Sequence, residues 1–124
     1  MIKREAQFQT IFNKYLRATG LRGVFELKYS KTDRFNLSEI REHQIEGLLS
    51  VEKNGFVWKL SDADPREKPF DVLSIPKTKA YIVIKFKDRF VIIDVKKIVQ
   101  WSKKVKSISV QDAECIAKYI VVDN

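Results

Sequence analysis

Phe8, Ile11, Phe12, Tyr15 and Leu16 recur at the three-and-four spacing of a helix with one apolar face, and Gly20 supplies a stop soon after. That face is expected to point into a core. From Val24 to Tyr29 the period drops to two, so Phe25 and Leu27 fall on one side of a strand and Val24, Glu26 and Lys28 on the other. A polar loop, Ser30 to Phe35, leads to a second predicted helix, where Asn36 can cap and Glu39 stands three residues later as in a capping box. Its expected end lies before Asn54-Gly55. At about 100° per residue, Leu37, Ile40, Gln44, Leu48 and Val51 share one side of that helix, and the amide of Gln44 interrupts the apolar stripe.

Three or four strand-like runs follow: Phe56 to Leu60, Phe70 to Ile75, Ala80 to Lys87 and Phe90 to Val95. Lys87-Asp88-Arg89 is short enough to join the last two as a hairpin, and the charged, turn-forming stretch from Ser61 to Pro69 reads as a loop. Ser109 with Asp112 opens a last short helix, predicted through Ile116, Tyr119 and Ile120. The order is about αβαββββα, with helices flanking a mixed central sheet, which places the fold in the α/β or α+β class. No repeat, low-complexity segment or Gly/Ser-rich linker divides the chain, so residues 1–124 are expected to form one domain.

Composition adds a field to this outline. Lys and Arg number 24 against 16 Asp and Glu, a net charge of +8 among 124 residues. Such a charge favours a polyanionic partner, because neutralising phosphates releases condensed counterions; it also simply keeps a protein soluble. With one cysteine, Cys115, and one histidine, His43, there is no disulfide within the chain and no basis for a Cys/His zinc site. The N-terminal residues carry no apolar stretch of signal-peptide type, and the longest apolar runs, Tyr81 to Ile84 and Phe90 to Ile93, are too short to span a bilayer. A soluble, cytoplasmic protein without a membrane partner is expected.

The sharpest local chemistry is Glu26-Leu27-Lys28, since a strand turns residues i and i+2 to the same side and holds a carboxylate beside an ammonium. Such a pair can bind a metal while the lysine orients a water or steadies phosphate charge; it can equally be an ordinary pair of opposite charges on an exposed strand. Gln44 either hydrogen-bonds within the core or faces a functional cleft, because burying it unpaired costs about 1–3 kcal/mol. His43 projects elsewhere on the same helix, as a surface histidine. Glu5 sits in line with Phe12 and is either an acid suited to a helical first turn or a site residue. Asp71 opens a strand-like run, and Asp62 and Asp64 lie in the preceding loop. Phe35, Trp58, Phe90 and Trp101 are candidates for core, interface or base stacking.

Taken together, Arg4-Glu5-Ala6-Gln7-Phe8-Gln9-Thr10-Ile11-Phe12, Gly23-Val24-Phe25-Glu26-Leu27-Lys28, His43-Gln44-Ile45-Glu46-Gly47-Leu48, Lys59-Leu60-Ser61-Asp62 and Lys68-Pro69-Phe70-Asp71 resemble a nuclease of the PD-(D/E)XK superfamily. The resemblance is to the RecU-type Holliday-junction resolvases and their small phage-borne relatives, and covers roughly residues 4 to 95. It implies a restriction-endonuclease-like core, one- or two-metal phosphodiester hydrolysis with Mg²⁺, for which Mn²⁺ is expected to substitute, and action on branched or duplex DNA, four-way junctions first; a homodimer is expected because resolving a junction takes two symmetric cuts. Glu26 would be the metal-binding acid, Lys28 the catalytic lysine, Gln44 the glutamine that closes the site and Glu5 the acid of the first helix. The superfamily places an aspartate upstream of Glu-x-Lys, whereas here no acidic residue lies between Tyr15 and Phe25. Asp71 is the expected substitute metal ligand and Asp62 the second choice. Lys59, Lys68, Lys77, Lys79, Lys85 and Lys87, with further lysines at 96, 97, 103, 104 and 106, are expected to track the DNA backbone. The rival expectations are a non-catalytic nucleic-acid-binding module and a nickase or repair endonuclease without junction preference.

Overall fold

The structure is a computed structural model that describes residues 2–59 and 70–122, with side chains from residue 6 onward. The first helix, α1 (Ile2–Thr19), ends as its period predicts, with the Gly20 N–H donating to the Leu16 carbonyl at 2.9 Å. Phe8 and Phe12 are buried, but Ile11 stands on the exposed flank of the face. Strand β1 (Val24–Tyr29) follows.

The next segment departs from the expectation of one long helix. Leu37–Glu39 form only a 3-10 turn, Asn36 gives it no side-chain cap, and Ile40 is extended. The chain is held there by a small ladder, β2 (Arg34–Asn36) against β7 (Ser107–Ser109), with Phe35 opposite Ile108 and the Leu37 N–H donating to the Lys106 carbonyl. Helix α2 therefore begins at Glu42 and runs to Asn54, closing at Gly55 as expected.

Beyond it, β3 (Phe56–Lys59) and β4 (Val72–Ile75) pair antiparallel as a separate two-stranded hairpin. The stretch from Leu60 to Pro69, including the expected loop, lies outside the described residues. Strands β5 (Ala80–Lys85) and β6 (Arg89–Asp94) form the predicted second hairpin, closed by the Phe86 N–H on the Arg89 carbonyl at 2.8 Å.

From Asp94 the chain passes directly into α3 (Val95–Ser102), a helix that the sequence reading did not anticipate. The last helix, α4 (Val110–Ile116), is capped as foreseen: Ser109 Oγ accepts the Asp112 N–H at 3.1 Å. It stops sooner than predicted. The Lys118 N–H donates to the Ile92 carbonyl, drawing Tyr119–Val122 onto the sheet as β8 instead of extending the helix.

The result is a mixed central sheet of order β1-β5-β6-β8, with β1 parallel to β5 and the remaining pairs antiparallel. Both of its faces are covered, which is why β5 and β6 read as unbroken apolar runs. On one face α1 packs Phe8 and Phe12 against Tyr81, Val83, Phe90 and Ile92, with Phe25 and Leu27 alongside. The ring centroids of Phe12 lie 5.1 Å from Phe25 and 5.8 Å from Phe90, both edge-on, a favourable aromatic geometry. The other face gathers Ile82, Ile84, Val91 and Ile93 under Leu48, Ile98, Ile108, Ala113 and Phe35. With its helices and mixed sheet the fold belongs to the α+β class. No helix among the described residues is long and apolar enough to cross a membrane.

Candidate active site

Strand β1 is an edge strand, and its period of two sorts its side chains. Phe25 and Leu27 join the α1 core, while Val24, Glu26 and Lys28 turn to the face that carries α2. Glu26 and Lys28 thus share a face, both half-buried, opposite Ile82 and Ile84 of β5.

Gln44 comes to this pair from the first turn of α2. Its Nε2 donates to Glu26 Oε1 at 2.5 Å, and its Oε1 accepts the Arg41 N–H at 2.9 Å. One amide therefore caps the helix and pins the carboxylate, which answers the question raised by a polar group in an apolar stripe: it is satisfied, and it is satisfied at the cleft. Both ends of the amide are engaged, so Gln44 acts here by positioning Glu26. Glu26 Oε2 makes no hydrogen bond among the described residues, nor does Lys28 find an ion-pair partner there.

A groove of about 320 Å³ opens beside Glu26, the size of small-ligand clefts. Its walls are Val24, Phe25 and Glu26 on the strand, His43, Gln44, Gly47, Leu48 and Val51 on α2, and Phe56 and Ile75 at the base of the β3–β4 hairpin. His43, read from sequence as a surface residue pointing elsewhere, is exposed but lines this groove next to Gln44. Gly47, one turn on, has open space where a Cβ would be, and leaves that wall low. The hairpin walls were not foreseen, because no local pattern says where a two-stranded ribbon will rest.

The other expected site residues divide. Asp71 precedes β4, whose ladder partner is β3; the strand beside β1 is β5. The expectation that Asp71 opens a strand lying against Glu26 is thus corrected. Ile75 is the residue of β4 at the groove, and Asp71 lies four residues up the strand, about 13 Å of extended chain away. Asp62 and Lys68 lie outside the described residues, as does the side chain of Glu5 on the first turns of α1. Among the described residues no group of three Asp, Glu, His or Cys side chains is gathered as a metal cage.

Of the lysines expected on DNA, Lys59, Lys77, Lys79 and Lys87 are exposed. Lys85 is a correction: only 7% exposed on the central strand β5, it turns its ammonium back to the Lys87 carbonyl at 3.3 Å, so a surface role does not suit it. Lys77, Lys79 and Lys96 surround a shallow basin with Thr78 and Glu52. Glu52, which sequence reading passed over, has a side chain only 10% exposed, and ties α2 to the sheet by accepting the Ala80 N–H at 2.9 Å with Lys96 at 3.8 Å. Compared with protein families, curated proteins and solved structures, the chain matches none.

Proposed function

We propose that the chain is a metal-dependent DNA endonuclease of the PD-(D/E)XK type, acting on branched DNA in the manner of a Holliday-junction resolvase. The observation that carries this reading is the Gln44–Glu26 hydrogen bond: two residues singled out by the resemblance, 18 positions apart, meet beside a groove with Lys28 on the same strand face. The net charge of +8 supports a polyphosphate substrate.

The donor set suits a divalent ion that arrives with substrate. Glu26 offers one carboxylate, and Mg²⁺ is commonly held by one or two carboxylates with waters and substrate phosphates completing its shell. Glu26 would hold the ion together with DNA phosphate oxygens, while Glu5 and Asp62 are the acids that could add a second protein ligand. When bound, Mg²⁺ (or Mn²⁺) would acidify a water and offset charge on the scissile phosphate. Lys28 steadies the charge that develops on the phosphoryl oxygens, an effect that a fixed cation exerts strongly in a half-buried setting. Gln44 keeps the Glu26 carboxylate from swinging onto that ammonium, so that each stays available.

The test is a nicking assay with Mg²⁺ on four-way junctions, linear duplex and single strands. Wild type is expected to cut the junction, with Glu26→Gln and Lys28→Ala each lowering the rate about 100-fold or more. Two symmetric cuts also call for a two-fold dimer in solution. Cutting without junction preference would redirect the reading to a nickase or repair endonuclease. A second reading, a non-catalytic nucleic-acid-binding module, is favoured by Glu26 being the one acidic side chain among the groove's described lining residues; wild type that binds every DNA and cuts none would establish it.

A further inference from the structure

The hairpin beside the groove carries more apolar surface than a soluble ribbon needs. Residues paired across an antiparallel ladder share a face, so Phe56 with Ile75 and Trp58 with Leu73 lie on one side of it. The inner pair lines the groove with Glu26. The outer pair stands in solvent, Trp58 at 54% and Leu73 at 45% exposure. The Phe56 and Trp58 rings are stacked, 5.6 Å between centroids and 27° apart. An aromatic strip thus leads from solvent to the groove that Glu26 also lines.

Its surroundings say what kind of occupant it suits. Lys53 in the last turn of α2 and Lys77 just after β4 are exposed cations at the base of the hairpin, whereas Lys59 at the end of β3 turns to the opposite face from Trp58. An apolar peptide would use the strip and leave these charges idle, whereas a nucleotide uses both, laying its base on the ring and its phosphate among the lysines. Bases inside intact duplex are already stacked on one another and cannot reach such a surface.

We infer that the Phe56–Trp58 face of the hairpin is a stacking platform for an unpaired base, which selects DNA with single-stranded or unstacked nucleotides and delivers that strand to the Glu26 groove. Delivery to chemistry rests on the endonuclease reading; the platform itself does not.

The experiment measures binding of fluorescein-labelled oligothymidylate and of an intact duplex, in EDTA so that no cutting intervenes. Trp58→Ala is expected to weaken oligothymidylate binding about 5- to 150-fold, the range for loss of one base–aromatic stack, and Trp58→Phe to restore most of it. Duplex affinity is expected to be unchanged by either. Trp58 is exposed, so these variants should keep the wild-type circular dichroism. In a Trp101→Phe background Trp58 is the sole tryptophan of the two, and its emission should be quenched saturably by oligothymidylate. Equal affinity of wild type and Trp58→Ala would overturn the platform, as would a Trp58-dependent dimer in sedimentation without DNA, which would make the strip a self-association surface. Junction cutting that ignores Trp58 would retain the nuclease and discard the platform; Trp58-dependent binding by a wild type that cuts nothing would do the reverse.

Discussion

Gln44 joins two tasks that are usually separate, capping the start of a helix and holding a carboxylate. Removing it should therefore show in two readouts. Gln44→Ala loses the acceptor for the Arg41 N–H and frees Glu26, and is expected to cost about 1–2 kcal/mol of stability, seen as a lower denaturant midpoint. If cleavage is present, kcat should fall while KM changes little, the mark of a positioning residue rather than of a binding one. A second residue-scale prediction concerns Tyr81. Burial, and then the negative charge of Asp94 facing it across the β5–β6 ladder, raise its phenol above the usual 10.0, and burial does the same to Tyr15. A folded-state value above the unfolded one means that the stabilising contribution is whole below pH 10 and drains away as pH climbs through the raised value. The melting temperature should hold to about pH 10 and drop beyond it, and Tyr81→Phe should make that drop shallower.

At the scale of elements, the groove depends on how the β3–β4 hairpin is hinged to α2. Gly55 provides that hinge. Its φ is +79°, which L side chains rarely adopt, and a Cβ there would meet the Ile75 carbonyl at 2.6 Å and the Pro76 and Lys77 backbone at 3.0 Å. Backbone atoms at that distance cannot step aside as a flexible side chain would. Gly55→Ala is expected to destabilise by about 1–3 kcal/mol and to shift the hairpin away from Glu26, readable as a changed emission of Trp58 as well as an earlier unfolding transition. Gly47 makes the contrast. Its Cβ direction is open and its helix interior, so Gly47→Ala should stabilise α2 by about 0.5–1 kcal/mol.

For the molecule as a whole, charge makes the claim. With +8 net charge, binding to any DNA should weaken steeply with salt, and the slope of log affinity against log salt counts the phosphates neutralised. Charge reversal at Lys77 and Lys79, which are exposed near the hairpin, should lower that slope by about 1–2. The same reversal at Lys96 is expected to do less for DNA, because that ammonium already sits within 3.8 Å of Glu52.

What the chain determined locally was what depends on neighbours in sequence. The helical period of α1 and the alternation of β1, which puts Glu26 and Lys28 on one face, needed no partner to be legible, nor did the Ser109–Asp112 cap or the Asn54-Gly55 stop. Two departures arose where a distant strand outbid a local tendency. Leu37–Ile40 could have extended a helix but is tethered to the β7 segment; Tyr119 and Ile120 could have continued α4 but complete the ladder on β6. Helix α3 went unseen because Val95 follows the strand without a break, its Val95–Ile98 spacing hidden by β-branched residues that read as more strand. The site divides the same way. Period alone put Glu26 beside Lys28, whereas the arrival of Gln44, the exclusion of Asp71 from the strand next to β1, the burial of Lys85 and the alignment of Trp58 with the groove were decided by tertiary structure. Side-chain direction follows from a few backbone angles, but which strand lies beside which is settled by the burial of a whole sheet, and no short window of sequence contains that.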